Sequence, residues 1–301
     1  MKETNGLKAL FVLFVFVGSS SFAANKISAN QETKIEFSIV RTGTAKTQEA
    51  LVIQGGAISK KMTLNHSAFL IRHGNDVILL DTGLGKNIDQ QFKKDMPVWA
   101  KPFFSYEETK AAIDQIPAEL KEKIKKIYLT HVHWDHASGL EDFLPGVCVS
   151  VPDEEMKELT DRRAAATFPS QFSHADLKWC NFNWSNKAYR GFDQSYDVFG
   201  DGTVVAVPLP GHSIGSMGVF VHTKTKDYFL VGDLVWSARA IELGKHKFFV
   251  ASKIVDRNRE KVMEAIEKVR EVAKKDKSLI IIPAHDAEVQ DTLGYFPKWI
   301  Q

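Results

Sequence analysis

The sequence predicts an α/β protein, a four-layer αββα sandwich whose chemistry lies on loops along one edge. Three observations lead there. Two β-rich halves follow one another, each accompanied by helix-favouring segments suited to the outside of a sheet. Histidine or aspartate follows several short apolar runs, where a strand gives way to a loop, a usual place for chemistry on a rigid scaffold. No repeat of fixed short period is present, which excludes a solenoid.

Taken in order, residues 33–42 alternate Ile35, Phe37 and Ile39 with polar side chains, the period of a half-buried strand. Residues 50–54 and 62–72 continue the β character. Gly74-Asn75-Asp76 is a hairpin signal and leads into a buried strand at 77–80, closing on Asp81-Thr82-Gly83. Charged, helix-favouring stretches cover 87–94 and 105–125, with Ser105 and Glu108 spaced as a capping box. Between them, Trp99, Phe103 and Phe104 form an aromatic loop that either packs as a satellite or walls a pocket. A short strand at 126–129 precedes the histidine cluster; another strand is expected at 147–151 and a helix at 153–161. Residues 168–189 read as irregular and aromatic, either a lid over a pocket or ordinary packing. Strands follow at 204–207, 217–221 and 228–231. The amphipathic spacing of Val262, Ile266, Val269 and Ala273 predicts a helix over 256–274, and a last strand at 279–282 closes on Pro283-Ala284-His285-Asp286.

The composition, 44% hydrophobic and 25% charged over 301 residues, supports a substantial core. A net charge of +2 with no long basic run gives no nucleic-acid surface. Lys2 and Lys8 precede an apolar run over 9–17, then Gly18, serines and Phe22-Ala23-Ala24, the layout of a secretory signal peptide cut after Ala23. The run is short for a membrane span. The expected organisation is therefore a signal peptide at 1–23 and a single domain at 24–301, exported to a bacterial periplasm or the medium without a stable membrane anchor. Export leaves Cys148 and Cys180 two fates, a disulfide or two separate buried thiols.

The stretch Thr130-His131-Val132-His133-Trp134-Asp135-His136 carries four metal-ligand side chains within six residues. Residues two apart in an extended backbone project to one side. His131 and His133 can thus grip one ion, while Asp135 and His136, beyond the bend, turn toward a second. Imidazoles are costly to bury unpaired, so such crowding points to metal.

With His212 after Pro210-Gly211, Asp233 after Val231-Gly232, and His285, the set resembles that of the metallo-β-lactamase superfamily over about Asn65 to Asp286, with Leu80-Asp81-Thr82-Gly83 in support. The resemblance implies His131, His133 and His212 at one zinc, and Asp135, His136 and His285 at the other. Asp233 bridges the two. It further implies a hydroxide shared by two Zn2+ as nucleophile, with Asp135 and Asp233 in the catalytic machinery. Asp81 and Asp286 are expected to hold ligand imidazoles in one tautomer. His66, His73, His174, His222 and His246 are expected outside the set, although His246 could still face substrate.

Within the superfamily, the layout is most similar to the lactonase and organophosphate-hydrolase branch: Phe199-Gly200-Asp201-Gly202 precedes Pro210-Gly211-His212 as it does there. The reaction this implies is cleavage of an ester or lactone-type bond in a small molecule. The aromatic loops point to an apolar pocket, with Phe104 and Trp179 against the substrate. Asp233 argues against a β-lactamase, since exported enzymes of that class usually lack a carboxylate there. Phosphotriester hydrolysis stays open beside β-lactam hydrolysis, as do an iron-containing redox protein and a non-catalytic metal binder. Two positions depart from the branch. Trp236 stands where its tyrosine usually donates to substrate, and Gly211-His212-Ser213-Ile214-Gly215-Ser216 replaces Gly-His-Thr-Pro-Gly-His.

Overall fold

In a computed structural model, Met1 and residues 34–161 and 166–301 are described. Apart from Met1, the expected signal segment at 1–23 lies outside them. Two sheets carry the described fold. The first holds β1 (Ile35–Gln48), β2 (Lys61–His73), β3 (Asp76–Leu80), β4 (Ile124–Tyr128), β5 (Cys148–Ser150) and β6 (Lys178–Trp179), neighbours in that order. The second holds β7 (Tyr196–Asp197), β8 (Val204–Pro208), β9 (Met217–His222), β10 (Asp227–Leu230) and β11 (Ile280–Ile282), ordered β11-β10-β9-β8-β7.

Alternation along the strands builds the layers. Phe37, Ile39, Phe69, Ile71, Ile78 and Leu80 of the first sheet pack on Ala206, Val219, Val221, Tyr228, Leu230 and Ile282 of the second. The intervening residues face outward. Val40, Leu70, Leu79, Ile127 and Val149 meet Ala112, Ile116 and Leu140 on one side. On the other, Val207, Phe220 and Phe229 meet Val262, Ile266 and Val269 of the helix Arg259–Lys275. The result is the αββα sandwich. That helix begins where Asn258 accepts from Lys261 N at 2.9 Å and ends with Lys274 and Lys275 on its negative pole. Val262, Ile266 and Val269 are fully buried, each contributing roughly 1.5–3 kcal/mol.

The structure corrects some expectations and decides between the alternatives left open for others. Residues 50–54 are not a strand: Glu49–Val52 is a short helix, because the Glu49 carboxylate folds the segment back onto Ala57 N and Lys60. The long helix at 105–125 breaks into Ala112–Gln115 and Ala118–Lys121, separated by Pro117, and β4 already begins at Ile124. No capping box forms at Ser105. Thr44 and Glu107 instead exchange backbone hydrogen bonds at 2.8 and 2.7 Å, so this segment pairs with β1. Residues 168–189 pack rather than cover: Phe172 stacks on Trp179 and Phe182 on Tyr196. Cys148 and Cys180 form a disulfide with Cα atoms 5.8 Å apart. No helix of the described residues is long and apolar enough to cross a membrane.

Candidate metal centre

Strands β3, β4, β8, β10 and β11 all deliver a chemical residue just past their carboxyl ends. β3 runs into Asp81, β4 into His131–His136, β8 into His212, β10 into Asp233 and β11 into His285. All seven expected ligands are buried and converge. His131, His133 and His212 form one group whose donor atoms lie within 4.8 Å of one another; His131, His136 and Asp233 form a second. Asp135 and His285 fall in a third group, but with His66 in place of His136. His66, expected outside the set, lies beside these two candidate donors.

The distances tie these groups together. His131 and His212 Nε2 atoms are 3.1 Å apart. Asp233 Oδ2 lies 3.0 Å from His285 Nε2 and 3.5 Å from His212 Nε2, while its Oδ1 lies 3.1 Å from His136 Nε2. One carboxylate thus reaches imidazoles of both expected positions. Asp233 Oδ1 and His136 Nε2 are nonetheless buried without an aligned hydrogen bond. Buried polar atoms seldom stay unsatisfied, and imidazole nitrogen with carboxylate oxygen is a zinc-binding set. The residues present fit divalent ions.

Three of the candidate ligand imidazoles are held from behind. Asp81 accepts from Thr130 N at 2.7 Å and Thr130 Oγ1 at 2.8 Å, and its Oδ2 lies 2.8 Å from His136 Nδ1. It does so at φ 57°, a left-handed conformation that stores strain at the site. His285 Nδ1 lies 2.6 Å from Asn65 O. His212 Nδ1 lies 2.7 Å from Asp256 Oδ1, which also accepts from the fully buried Lys247 at 2.9 Å. In each case Nε2 is left facing the cluster. The expectation for Asp81 holds. Asp286 does something else: it accepts from Val289 N and Ala238 N, capping the helix Ala287–Leu293. Asp256 takes the role assigned to it. His246 is buried beside Asp256, its Nε2 3.8 Å from Oδ2, and does not line the cavity over the donors.

Glu155 links two ligand loops. It accepts from Val132 N at 2.9 Å, between His131 and His133, and from Ser213 Oγ and Gly215 N at 2.8 and 2.7 Å, just past His212. A Cβ on residue 215 would lie 2.5 Å from Glu155 N, so the loop needs glycine there. Burial pushes the Glu155 carboxyl up to about 8, against the pull of those donors.

Burial and neighbouring imidazoles lower His131 and His133 well below the usual histidine value, and burial with Lys247 lowers His212. These shifts favour the neutral imidazole, the form in which histidine binds a metal. Burial opposes charge on His136 and His285 too, but the carboxylates around them prevail and raise both. Asp233 resists its own desolvation because those imidazoles hold it well below the carboxylate range.

Over the donors lies a cavity of about 280 Å³. His133, Asp135, His212, Asp233, His285 and His66 face it from one side, and Leu51, Phe103, Phe104, Phe248, Val250 and Ile254 wall the other. Phe104 is where the sequence puts it; Trp179 is not, being held against Phe172. Trp236 lines the cavity and donates Nε1–H to Asp233 Oδ2 at 3.0 Å, so its indole serves the carboxylate. A roomier groove of about 700 Å³ beside the helix Ala238–Leu243 holds none of the clustered imidazoles.

A family model, the metallo-beta-lactamase superfamily, matches residues 63–285, a span that contains every donor named above. The chain belongs to that superfamily. Among curated members, a probable metallo-hydrolase of Mycobacterium tuberculosis is 26% identical over 239 residues, 73% of this chain and 74% of that protein. The N-acyl homoserine lactonase AttM of Rhizobium johnstonii is 23% identical over 199 residues, 63% of this chain and 69% of that protein. Among solved structures, an N-acyl homoserine lactone hydrolase with N-hexanoyl-L-homoserine bound at its catalytic metal centre aligns at a TM-score of 0.68 and 19% identity, over 89% of this chain and all of that one. That likeness is one of fold. The protein is a metal-dependent hydrolase of the superfamily, related to lactonases.

Proposed function

We propose that the protein is an exported dinuclear zinc hydrolase that opens an ester or lactone-type bond in a small apolar substrate. The observation that carries this reading is Asp233, whose two oxygens face imidazoles of both positions at the floor of an apolar-walled cavity. Zinc held there supplies a water acidic enough to attack near neutral pH and a Lewis acid for the carbonyl oxygen. The chain does the rest. Asp81, Asp256 and Asn65 O fix three imidazoles with Nε2 forward. Asp135 and Asp233 bring negative charge that offsets the dications. Phe104, Phe248 and Ile254 exclude water and receive the apolar part of the substrate, as the lactonase relatives' acyl substrates would require. Export rests on the signal-like start, and the Cys148–Cys180 disulfide suits an oxidising compartment.

The test uses protein beginning at Ala24, assayed for metal content and against lactones, thioesters, nitrocefin and paraoxon. Two zincs per chain are expected, with lactone or ester turnover dominant and lost in Asp233→Ala. Turnover that survived Asp233→Ala, or a chain that bound no stoichiometric metal, would sink the proposal.

A further inference from the structure

His66 lies on β2, where successive side chains point to opposite faces. Its neighbours Asn65 and Ser67 both turn toward Gln290, at 3.0 and 2.8 Å. His66 therefore points the other way, into the donor cluster, and is only 5% exposed. Its Nδ1 lies 3.1 Å from Asp135 Oδ2, and His285 Nε2 lies 3.3 Å from the same oxygen. All three donor atoms fall within 4.8 Å of one another. Zinc bonds to nitrogen and oxygen are about 2.0–2.2 Å, so atoms sharing a tetrahedral ion stand roughly 3.4 Å apart. The two measured separations are of that size. His66 Nε2 is buried without a hydrogen-bond partner, in a residue that lines the substrate cavity.

We propose that His66 is a further ligand, through Nδ1, of the metal position made by Asp135 and His285. This rests on the reading that the site holds two divalent ions. It distinguishes His66 from His136, His212 and His285, whose Nδ1 atoms are taken by Asp81, Asp256 and Asn65 O and which must bind through Nε2. It also assigns the His66 proton to Nε2, in a residue that lines the cavity. Trp236, at the position from which the related lactonases are expected to donate, has turned its N–H to Asp233.

The experiment loads the protein with an NMR-active cadmium isotope and records the imidazole nitrogens. Scalar coupling of cadmium to Nδ1 of His66, with coupling to Nε2 of His136, His212 and His285, is the expected result. Coupling at His285 with none at His66 would overturn the assignment. Coupling at none of the histidines would overturn the metal centre itself and this ligand with it. In a competition titration, His66→Ala should weaken the second zinc about tenfold or more and leave the first unchanged. A second affinity within about twofold of the parent would count against a bond to metal.

Discussion

His136 and His212 belong to different donor groups and are held in different ways. His136 leans on Asp81, which reaches it from the end of the adjacent strand and is satisfied by Thr130. That arrangement carries no cation. His212 leans on Asp256, which comes from a distant segment and shares one oxygen between the imidazole and the Lys247 ammonium. Lys247 in turn donates to Leu234 O at 3.2 Å and has no exposed surface. The first holdfast is a strand-end device built from backbone geometry. The second is a buried ion pair spanning the helix Phe249–Val255, whose apolar residues also wall the cavity. On one side the imidazole is fastened to the sheet; on the other it is fastened to the cavity wall.

The ion pair should give the largest effect. Lys247→Met leaves Asp256 as an uncompensated buried carboxylate and should cost about 3–5 kcal/mol in urea unfolding of the metal-free protein. Adding Asp256→Asn should return part of that loss. A single substitution costing under about 1 kcal/mol would mean that the pair is not holding the wall. Asp81→Asn tests the other holdfast more gently, since asparagine tolerates the left-handed backbone at this position. It should keep the fold and lower zinc affinity about 10–100-fold by calorimetry; unchanged affinity would leave His136 oriented by something else.

Smallest is a pH effect at the link between the two sides. Burial raises Glu155 from 4.5 to about 8 in the folded chain. The folded protein keeps a proton that the unfolded chain releases, so stability falls as pH rises from about 4.5 to about 8. Glu155→Gln should flatten that fall, read as the change in Tm between about pH 5 and pH 8. An unaltered slope would place the titrating group elsewhere.

The same contrast explains what could be read in advance. Asp81 was legible because it directly follows a buried strand and precedes Thr82-Gly83. Asp256 was not, because the imidazole it holds is 44 residues away and no local pattern joins them. Asp286 misled for the opposite reason: it adjoins His285 in the chain, yet its carboxylate turns to the start of the next helix. His66 carried only the alternation of an ordinary strand, and nothing local says that its inward neighbours are Asp135 and His285.

By itself, then, the amino-acid order determined most of the strands, the sandwich and the seven candidate donors that the fold brings together. These depend on side-chain period and residue type, which are written locally. Tertiary structure alone decided that His66 lies beside Asp135 and His285, that Lys247 and Asp256 stand behind His212, and that Trp236 serves Asp233. It also brought Cys148 and Cys180 within bonding reach. Each of these depends on which distant segments pack side by side, and on which face of a strand or loop then meets them.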